Sequence, residues 1–169
     1  MSSDIRDELC NILVREASLD DAELIADLTR AAWANKVKAS SSGHRETAET
    51  VLPDLEQGGG FILLVNDTPS GSARWLPIDG EHDIWEIRRI GVLPIYRGKN
   101  LSQHLLEAVI HRALSSDVHE LQLGVRADQP RLLDFYAAFG FELAPELEYP
   151  HSHNPQEPLP IMMRRIFGR

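Results

Sequence analysis

The feature that constrains the fold most is an apolar stripe with helical spacing, placed between two strand-like runs. The apolar residues of the stripe recur every three or four positions and predict one buried helix face. They are Leu101, Leu105, Leu106, Val109, Ile110, Ala113 and Leu114. Apolar runs at 83–92 and 121–125 flank it. Several strands followed by a strand–helix–strand–helix unit indicate a mixed sheet with helices on its faces.

Turn residues and periodicity place the remaining elements. Strands are expected at 12–15, 61–65, 72–76, 141–143 and 159–166, and helices at 19–36, 46–56 and 130–139. We therefore expect one domain over residues 11–169, preceded by a flexible N-terminus at 1–10. No internal repeat interrupts this order.

Composition excludes several classes of partner. The 169 residues include 26 acidic and 17 basic side chains, a net charge of −9, and no dense Lys/Arg run of the kind that binds nucleic acid. No stretch is apolar for the roughly 18 residues that a membrane span needs, and residues 1–10 do not resemble a secretory signal. We expect a cytoplasmic protein. Cys10 is the lone cysteine, and an acidic surface favours cationic ligands.

The apolar residues of the strand expected at 83–92 do not all fall on one face of the sheet. Trp85 and Ile87 share one face, whereas Ile90 and Val92 fall on the other. A β-bulge at 88–89 would restore the pattern, since one extra residue moves the following side chains across the sheet. The freed backbone groups would then be able to pair with an extended amide-bearing ligand. The alternative is an edge strand with both faces partly covered.

A basic turn, Arg97-Gly98-Lys99, joins this strand to the helix. Such a turn directs backbone N–H groups and the positive end of the helix dipole at one point, which suits phosphate oxygens. The Walker pattern GxxxxGK[ST] and the pattern GxGxxG are both absent, so nucleoside triphosphates and dinucleotides are disfavoured. A structural loop with a solvated basic turn is the alternative.

Residues 90–102, IGVLPIYRGKNLS, resemble the acyl-CoA pyrophosphate motif of the GNAT superfamily of N-acetyltransferases, (Q/R)-x-x-G-x-(G/A). Arg97 takes its first place, while Asn100 stands where glycine is usual and Ser102 where glycine or alanine is usual. Residues 125–141 are similar to the family's C-terminal segment, with Gln129 where asparagine is usual. The two motifs lie in the family's order and span roughly the second half of the chain.

The resemblance implies a single GNAT-like α/β (α+β) domain. Its mostly antiparallel central sheet would have about six to seven strands, about four flanking helices and a β-bulge in the fourth strand. Acetyl-CoA (coenzyme A) would be the cosubstrate, with no metal. The residues implied in binding it are Ile90, Gly91, Val92, Arg97, Gly98, Lys99, Asn100, Leu101, Ser102, Gln129 and Arg131.

Acetyl transfer to an amine requires a neutral nitrogen, yet an ordinary alkylammonium with a pKa of about 10.4 is almost fully protonated at pH 7. A base must take that proton, and the resemblance implies that Glu86, just before the expected bulge, is this base. The resemblance implies that Tyr136 protonates the CoA thiolate and that the Val92 N–H holds the thioester carbonyl. The alternative for Glu86 is a surface glutamate paired with Arg88 or Arg112. The alternative for Tyr136 is a tyrosine that only packs in the hydrophobic core.

The resemblance also indicates where an acceptor would bind, in the first helical pair and the last strand loop. The candidates there are Trp33, Glu46, Glu49, Tyr149 and His151. We expect a small-molecule amine, cationic or amino-acid-like. The alternatives are a protein lysine or N-terminus, or a non-catalytic acyl-CoA sensor. Family members often pair through C-terminal strands, so a homodimer is a further expectation.

Overall fold

The computed structural model describes residues 11–34, 42–78, 81–98 and 100–168. Within these ranges the strands are β1 Ile12–Glu16, β2 Gly59–Val65, β3 Thr68–Ile78, β4 Glu81–Val92, β5 Glu120–Val125, β6 Glu142–Leu143 and β7 Ile161–Ile166. The α-helices are α1 Ala22–Trp33, α2 Ala48–Gln57, α3 Ser102–Ser115 and α4 Arg131–Ala137. The N-terminus expected to be flexible lies outside the described residues, as does Lys99.

The strands form one seven-stranded sheet in the order β1-β2-β3-β4-β5-β7-β6. β4 and β5 are parallel, with Ile84–Glu86 opposite Glu120–Gln122. The pairs β1/β2, β2/β3, β5/β7 and β6/β7 are antiparallel. Helix α3 connects the two parallel strands, as a parallel pair requires. The expected mixed, mostly antiparallel sheet with four helices is confirmed.

The backbone of β4 is irregular where the bulge is predicted. Arg89 has a φ of +59°, a left-handed value that interrupts extended backbone. Burial along the strand follows the same break, since Glu86 and Ile87 are both buried, as are Gly91 and Val92. A regular strand would bury alternate residues instead. The broken alternation in the sequence therefore has a backbone cause.

The expected helix at 19–36 begins differently from its prediction. Leu19–Asp21 form a short 3-10 turn, and the α-helix starts at Ala22. The Asp21 carboxylate accepts a hydrogen bond from the backbone N–H of Ser18 at 2.8 Å. It also forms an ion pair with Arg15 at 2.9 Å. This ion pair lowers the pKa of Asp21 to about 2. The first residues of the expected helix thus form a capped turn before α1.

The described residues form two compact units. The N-terminal unit lies within Met1–Leu76 and Ile87–Arg112, and the C-terminal unit within Pro77–Glu86 and Ala113–Arg169. In the N-terminal unit, α1 and α2 bury an apolar cluster against β2. Its members are Ala22, Ile25, Ala26, Leu28, Val51, Leu55 and Ile62. The core of the C-terminal unit includes Leu121, Leu123, Val125, Phe141, Met162 and Met163.

Candidate active site

The turn between β4 and α3 has left-handed backbone at two of its described residues. Gly98 has a φ of +80° and Asn100 a φ of +59°, and asparagine is among the residues that tolerate this left-handed region. A Cβ atom on Gly98 would meet no described atom within 4 Å. Leu101, which is 3% exposed, anchors the start of α3. The first N–H groups of a helix lack partners within it and carry partial positive charge.

Arg97, the first residue of the pyrophosphate motif, is held by α1. Its guanidinium donates a hydrogen bond to the Ala32 carbonyl. Its Nε atom is buried and has no hydrogen-bond partner in the part of the chain that the structure describes. One end of this side chain therefore fixes the turn against α1, while a buried donor remains for another ligand.

The end of β4 packs tightly against the end of α1. A Cβ atom on Gly91 would lie 2.8 Å from Cζ3 of Trp33 and 3.0 Å from Cβ of Ala32. The guanidinium carbon of Arg89 lies 5.9 Å from the centroid of the Trp33 ring. Trp33 Nε1 is buried without a partner among the described residues. Glycine is required here because a larger residue would displace Trp33, a predicted acceptor residue.

Glu46, another predicted acceptor residue, is buried in ion pairs. Its carboxylate lies 3.3 Å from Arg74 and 3.0 Å from Arg89, and it accepts a hydrogen bond from the Thr50 hydroxyl at 2.8 Å. Burial alone would raise the pKa of Glu46, but the charge of Arg74, the Thr50 hydroxyl and the charge of Arg89 hold it below its ordinary value. Glu46 is therefore ionised, and its charge is already compensated. Glu49 is exposed on α2.

These ion pairs belong to a larger arginine network, which comprises Glu46, Asp54, Arg74, Arg88 and Arg89. Asp54 lies 3.0 Å from Arg74 and 3.4 Å from Arg88. Three guanidinium groups and two carboxylates thus share one network of ion pairs. This network was not predicted from the sequence. A charged residue at position 74, between Ala73 and Trp75 in an apolar strand, is the one local signal for it.

Glu86 and His151 form a close pair within the C-terminal unit. Nε2 of His151 lies 2.7 Å from one carboxylate oxygen of Glu86 and 2.9 Å from the other. The Glu86 side chain is 8% exposed and that of His151 is 29% exposed. The alternative pairing of Glu86 is wrong, because Arg88 pairs with Asp54 and Arg112 with Glu16. The structure thus joins a predicted base to a predicted acceptor residue.

Tyr149 holds the His151 ring from the side. The two rings meet edge to face with centroids 5.4 Å apart, and the His153 ring lies 6.3 Å from Tyr149. A Cβ atom on Gly124 of β5 would lie 3.5 Å from Cδ1 of Tyr149. The loop at 144–160 is fastened nearby, where the guanidinium of Arg164 lies 2.6 Å from the carboxylate of Glu146 in that loop.

Tyr136, the predicted acid, lies on α4 in an aromatic cluster. Its ring centroid is 5.1 Å from that of Phe135 and 5.9 Å from that of Phe141. Burial raises the pKa of Tyr136 to about 12, so the phenol keeps its proton at neutral pH. The predicted CoA residues of this unit flank the start of α4. Gln129 lies in the preceding turn, where its N–H donates to the Arg126 carbonyl at 3.0 Å, and Arg131 is exposed as the first helical residue.

Neither a metal centre nor a membrane-spanning helix is present among the described residues. No group of three His, Cys, Asp or Glu side chains in those ranges is placed to hold a metal ion. No helix among them is both long and apolar enough to cross a membrane. The expectations of no metal and of a cytoplasmic location stay predictions.

Comparison with solved structures identifies the fold. The chain superposes on the PaiA N-acetyltransferase of Thermoplasma acidophilum, solved with coenzyme A, with a TM-score of 0.74 and 17% identity, covering 93% of this chain and 99% of that one. It superposes equally well on the ribosomal-protein-S18-alanine N-acetyltransferase of Escherichia coli, with a TM-score of 0.74, 19% identity, and 94% and 96% coverage.

Sequence comparison finds two curated relatives. Mycothiol acetyltransferase of Renibacterium salmoninarum is 28% identical over 69% of this chain and 38% of the relative. That of Streptomyces griseus is 25% identical over 75% of this chain and 41% of the relative. The chain thus spans about two-fifths of their length. The model of the acetyltransferase (GNAT) family matches residues 24–141. With most of its length matched by that model, this chain belongs to the acetyltransferase (GNAT) family.

Proposed function

We propose that this chain is an acetyl-CoA-dependent N-acetyltransferase that acts on the primary amine of a small molecule. The observation that carries the proposal is the left-handed turn at Gly98 and Asn100, open at the start of α3. A diphosphate fits these residues, because helix N–H groups and the buried Arg97 Nε supply donors for anionic oxygens. Acetyl-CoA would supply a thioester from which the acetyl group is transferred.

Within this proposal the end of β4 holds the thioester arm. Gly91 and Val92 are buried and Ile90 is partly buried, and the thioester arm would lie along their main chain. The Val92 N–H would stabilise the oxyanion that develops on the thioester carbonyl. Tyr136, whose raised pKa keeps it protonated, would donate a proton to the departing sulfur. Glu86 would belong to the basic centre that deprotonates the acceptor.

For the acceptor we propose an amino-acid-like amine rather than a polyamine. The curated relatives are named for mycothiol, a small molecule, which supports a small acceptor. The side chains of Arg88 and Arg89 in the arginine network are 21% and 15% exposed, and a guanidinium has five N–H donors, so a carboxylate on the acceptor would be favoured there. Glu46 would not attract a cation, because its charge is compensated.

Two measurements test this function. Titration calorimetry with coenzyme A should give saturable binding, and ATP, which lacks the thiol-bearing arm, should bind more weakly. Acetyl-CoA consumption should then be followed with amino acids, their amides, polyamines, aminoglycosides and peptides. Amino acids should react faster than their amides. Tight coenzyme A binding without turnover of any amine would favour the acyl-CoA sensor, and turnover of peptides alone would favour a protein acceptor.

A matched pair of variants locates the coenzyme site. Gly98→Val places a β-branched residue at a left-handed position in the turn, so coenzyme A affinity should fall at least tenfold. Glu107→Gln changes an exposed residue of α3 and should leave affinity unchanged. Equal affinity in both variants would show that the turn does not bind the coenzyme.

A further inference from the structure

The hydrogen bond between Glu86 and His151 has a defined donor and a defined acceptor. Nε2 of His151 lies within 2.9 Å of both oxygens of Glu86. An ionised carboxylate only accepts hydrogen bonds, so the ring nitrogen facing it must carry the hydrogen. In a neutral imidazole the other nitrogen, Nδ1, then holds the lone pair. The carboxylate thus selects the tautomer in which Nδ1 accepts a proton.

Glu86 and His151 differ in how accessible they are to a bound amine. Glu86 is 8% exposed and both its oxygens are engaged by the imidazole. A bound amine would have to displace His151 to reach them. His151 is 29% exposed, and Nδ1 has no hydrogen-bond partner among the described residues. Tyr149 packs edge-on against the ring, which restrains its rotation. The imidazole is therefore the accessible member of the pair.

We infer that His151 is the proton acceptor of the N-acetyl transfer proposed above, and that Glu86 is a positioning residue which orients it. The inference rests on that proposed function. It differs from the prediction of Glu86 as the direct base, and it gives His151 a chemical role instead of a place in the acceptor wall. Carboxylates that orient a histidine and stabilise its charged form are a general arrangement in enzymes.

The proton and electron balance of the step is complete. One N–H bond of the acceptor ammonium breaks, its electron pair stays on nitrogen, and the proton bonds to His151 Nδ1. The Glu86 carboxylate then faces an imidazolium ion. The nitrogen pair forms a C–N bond to the acetyl carbon while the C–S bond breaks with its electrons on sulfur. The acetylated nitrogen releases its second proton and the sulfur gains one, so a single proton leaves from His151 to solvent.

A structural role is the competing explanation, in which the pair merely fastens the loop at 144–160 to β4. Four variants separate the two. His151→Gln keeps an amide that can donate to Glu86 but cannot take the proton at neutral pH. His151→Ala opens space for an added base. Glu86→Gln removes the orienting charge. His153→Gln alters the other histidine beside Tyr149 and serves as the control.

We expect His151→Gln to lower kcat by roughly 100-fold or more, the range of general base catalysis, with KM and the thermal midpoint little changed. Imidazole added to the buffer should restore part of the kcat of His151→Ala. The kcat of Glu86→Gln should fall about tenfold. Added imidazole should not restore it, because this variant retains His151 in a wrong orientation. His153→Gln should match the wild type. A merely structural pair would lower the thermal midpoint of His151→Ala and leave no imidazole-dependent rate, which would overturn the inference.

A measurement independent of activity reads the tautomer directly. Two-bond nitrogen–proton correlation spectra should show neutral His151 with hydrogen on Nε2 in the wild type, and a changed tautomer ratio in Glu86→Gln. Hydrogen on Nδ1 in the wild type would overturn the inference. If the wild type turns over an amine but His151→Gln keeps full kcat, the inference alone fails. If the wild type binds no coenzyme A, the proposed function fails, and the inference with it.

Discussion

The guanidinium group of Arg74, of which 1% is exposed, lies 3.0 Å from the carboxylate of Asp54. The same group also lies 3.3 Å from Glu46. A buried ion pair depends on all its members, because removing one leaves an uncompensated charge in a medium of low polarity. The arginine network is therefore a point at which one substitution should affect the whole N-terminal unit.

Replacing Arg74 tests this dependence. Arg74→Met keeps much of the side-chain volume but removes the buried guanidinium that contacts both Asp54 and Glu46, and should lower the free energy of unfolding by about 3 to 5 kcal/mol. Urea titration monitored by circular dichroism measures the loss. Asp27→Asn is the control, since its partner Arg30 forms an exposed pair with it, and should change stability by less than about 1 kcal/mol. Similar losses in both variants would contradict the prediction.

Asn100 stands where the family motif has glycine, and its left-handed backbone explains why. Asn100→Gly should keep coenzyme A affinity within about twofold, whereas Asn100→Val should lower it and destabilise the fold by roughly 1 to 2 kcal/mol. Calorimetry and urea titration measure the two effects. Asp117 has the same φ of +59° outside this turn, so Asp117→Val should lose stability but bind coenzyme A normally. A wild-type affinity in Asn100→Val would refute the assignment of the turn.

The contact between Gly91 and Trp33 makes a stability prediction. A methyl group at position 91 would lie 2.8 Å from the Trp33 ring, so Gly91→Ala should cost about 1 to 3 kcal/mol through overpacking. Trp33→Leu in the same chain should recover part of that loss because it makes room. Gly168→Ala, where a Cβ atom would meet nothing within 4 Å, should change stability by at most about 0.5 kcal/mol. An additive double variant would contradict this coupling.

Tyr136 gives a prediction for pH. Its pKa is raised to about 12 by burial, so the folded state binds the phenolic proton more tightly than the unfolded state, with its ordinary pKa near 10. This contribution to stability is fully present below pH 10 and is lost as the pH rises toward 12. Urea titrations at pH 8 to 11 should show a steeper loss for the wild type than for Tyr136→Phe. Parallel curves would show that the phenol is not protected.

Sequence reasoning was most successful where local patterns determine structure. The helical stripe from Leu101 and the broken alternation before Val92 both report the backbone of nearby residues, and α3 and the irregular β4 follow. The ion pairs were not predictable in this way. Arg74 and Asp54 are 20 positions apart, and Glu86 and His151 are 65 apart. Spacing carries no information about contacts that only the folded chain creates.

The two paired residues, Glu86 and His151, come from different kinds of structural element. Glu86 comes from a strand that is fixed by its neighbours in the sheet, whereas His151 comes from the connection at 144–160, which has no regular structure of its own. Lengthening or exchanging that connection would remove the imidazole while the carboxylate stayed in place. Reactivity toward an amine would then be transferable between related scaffolds by grafting one surface segment.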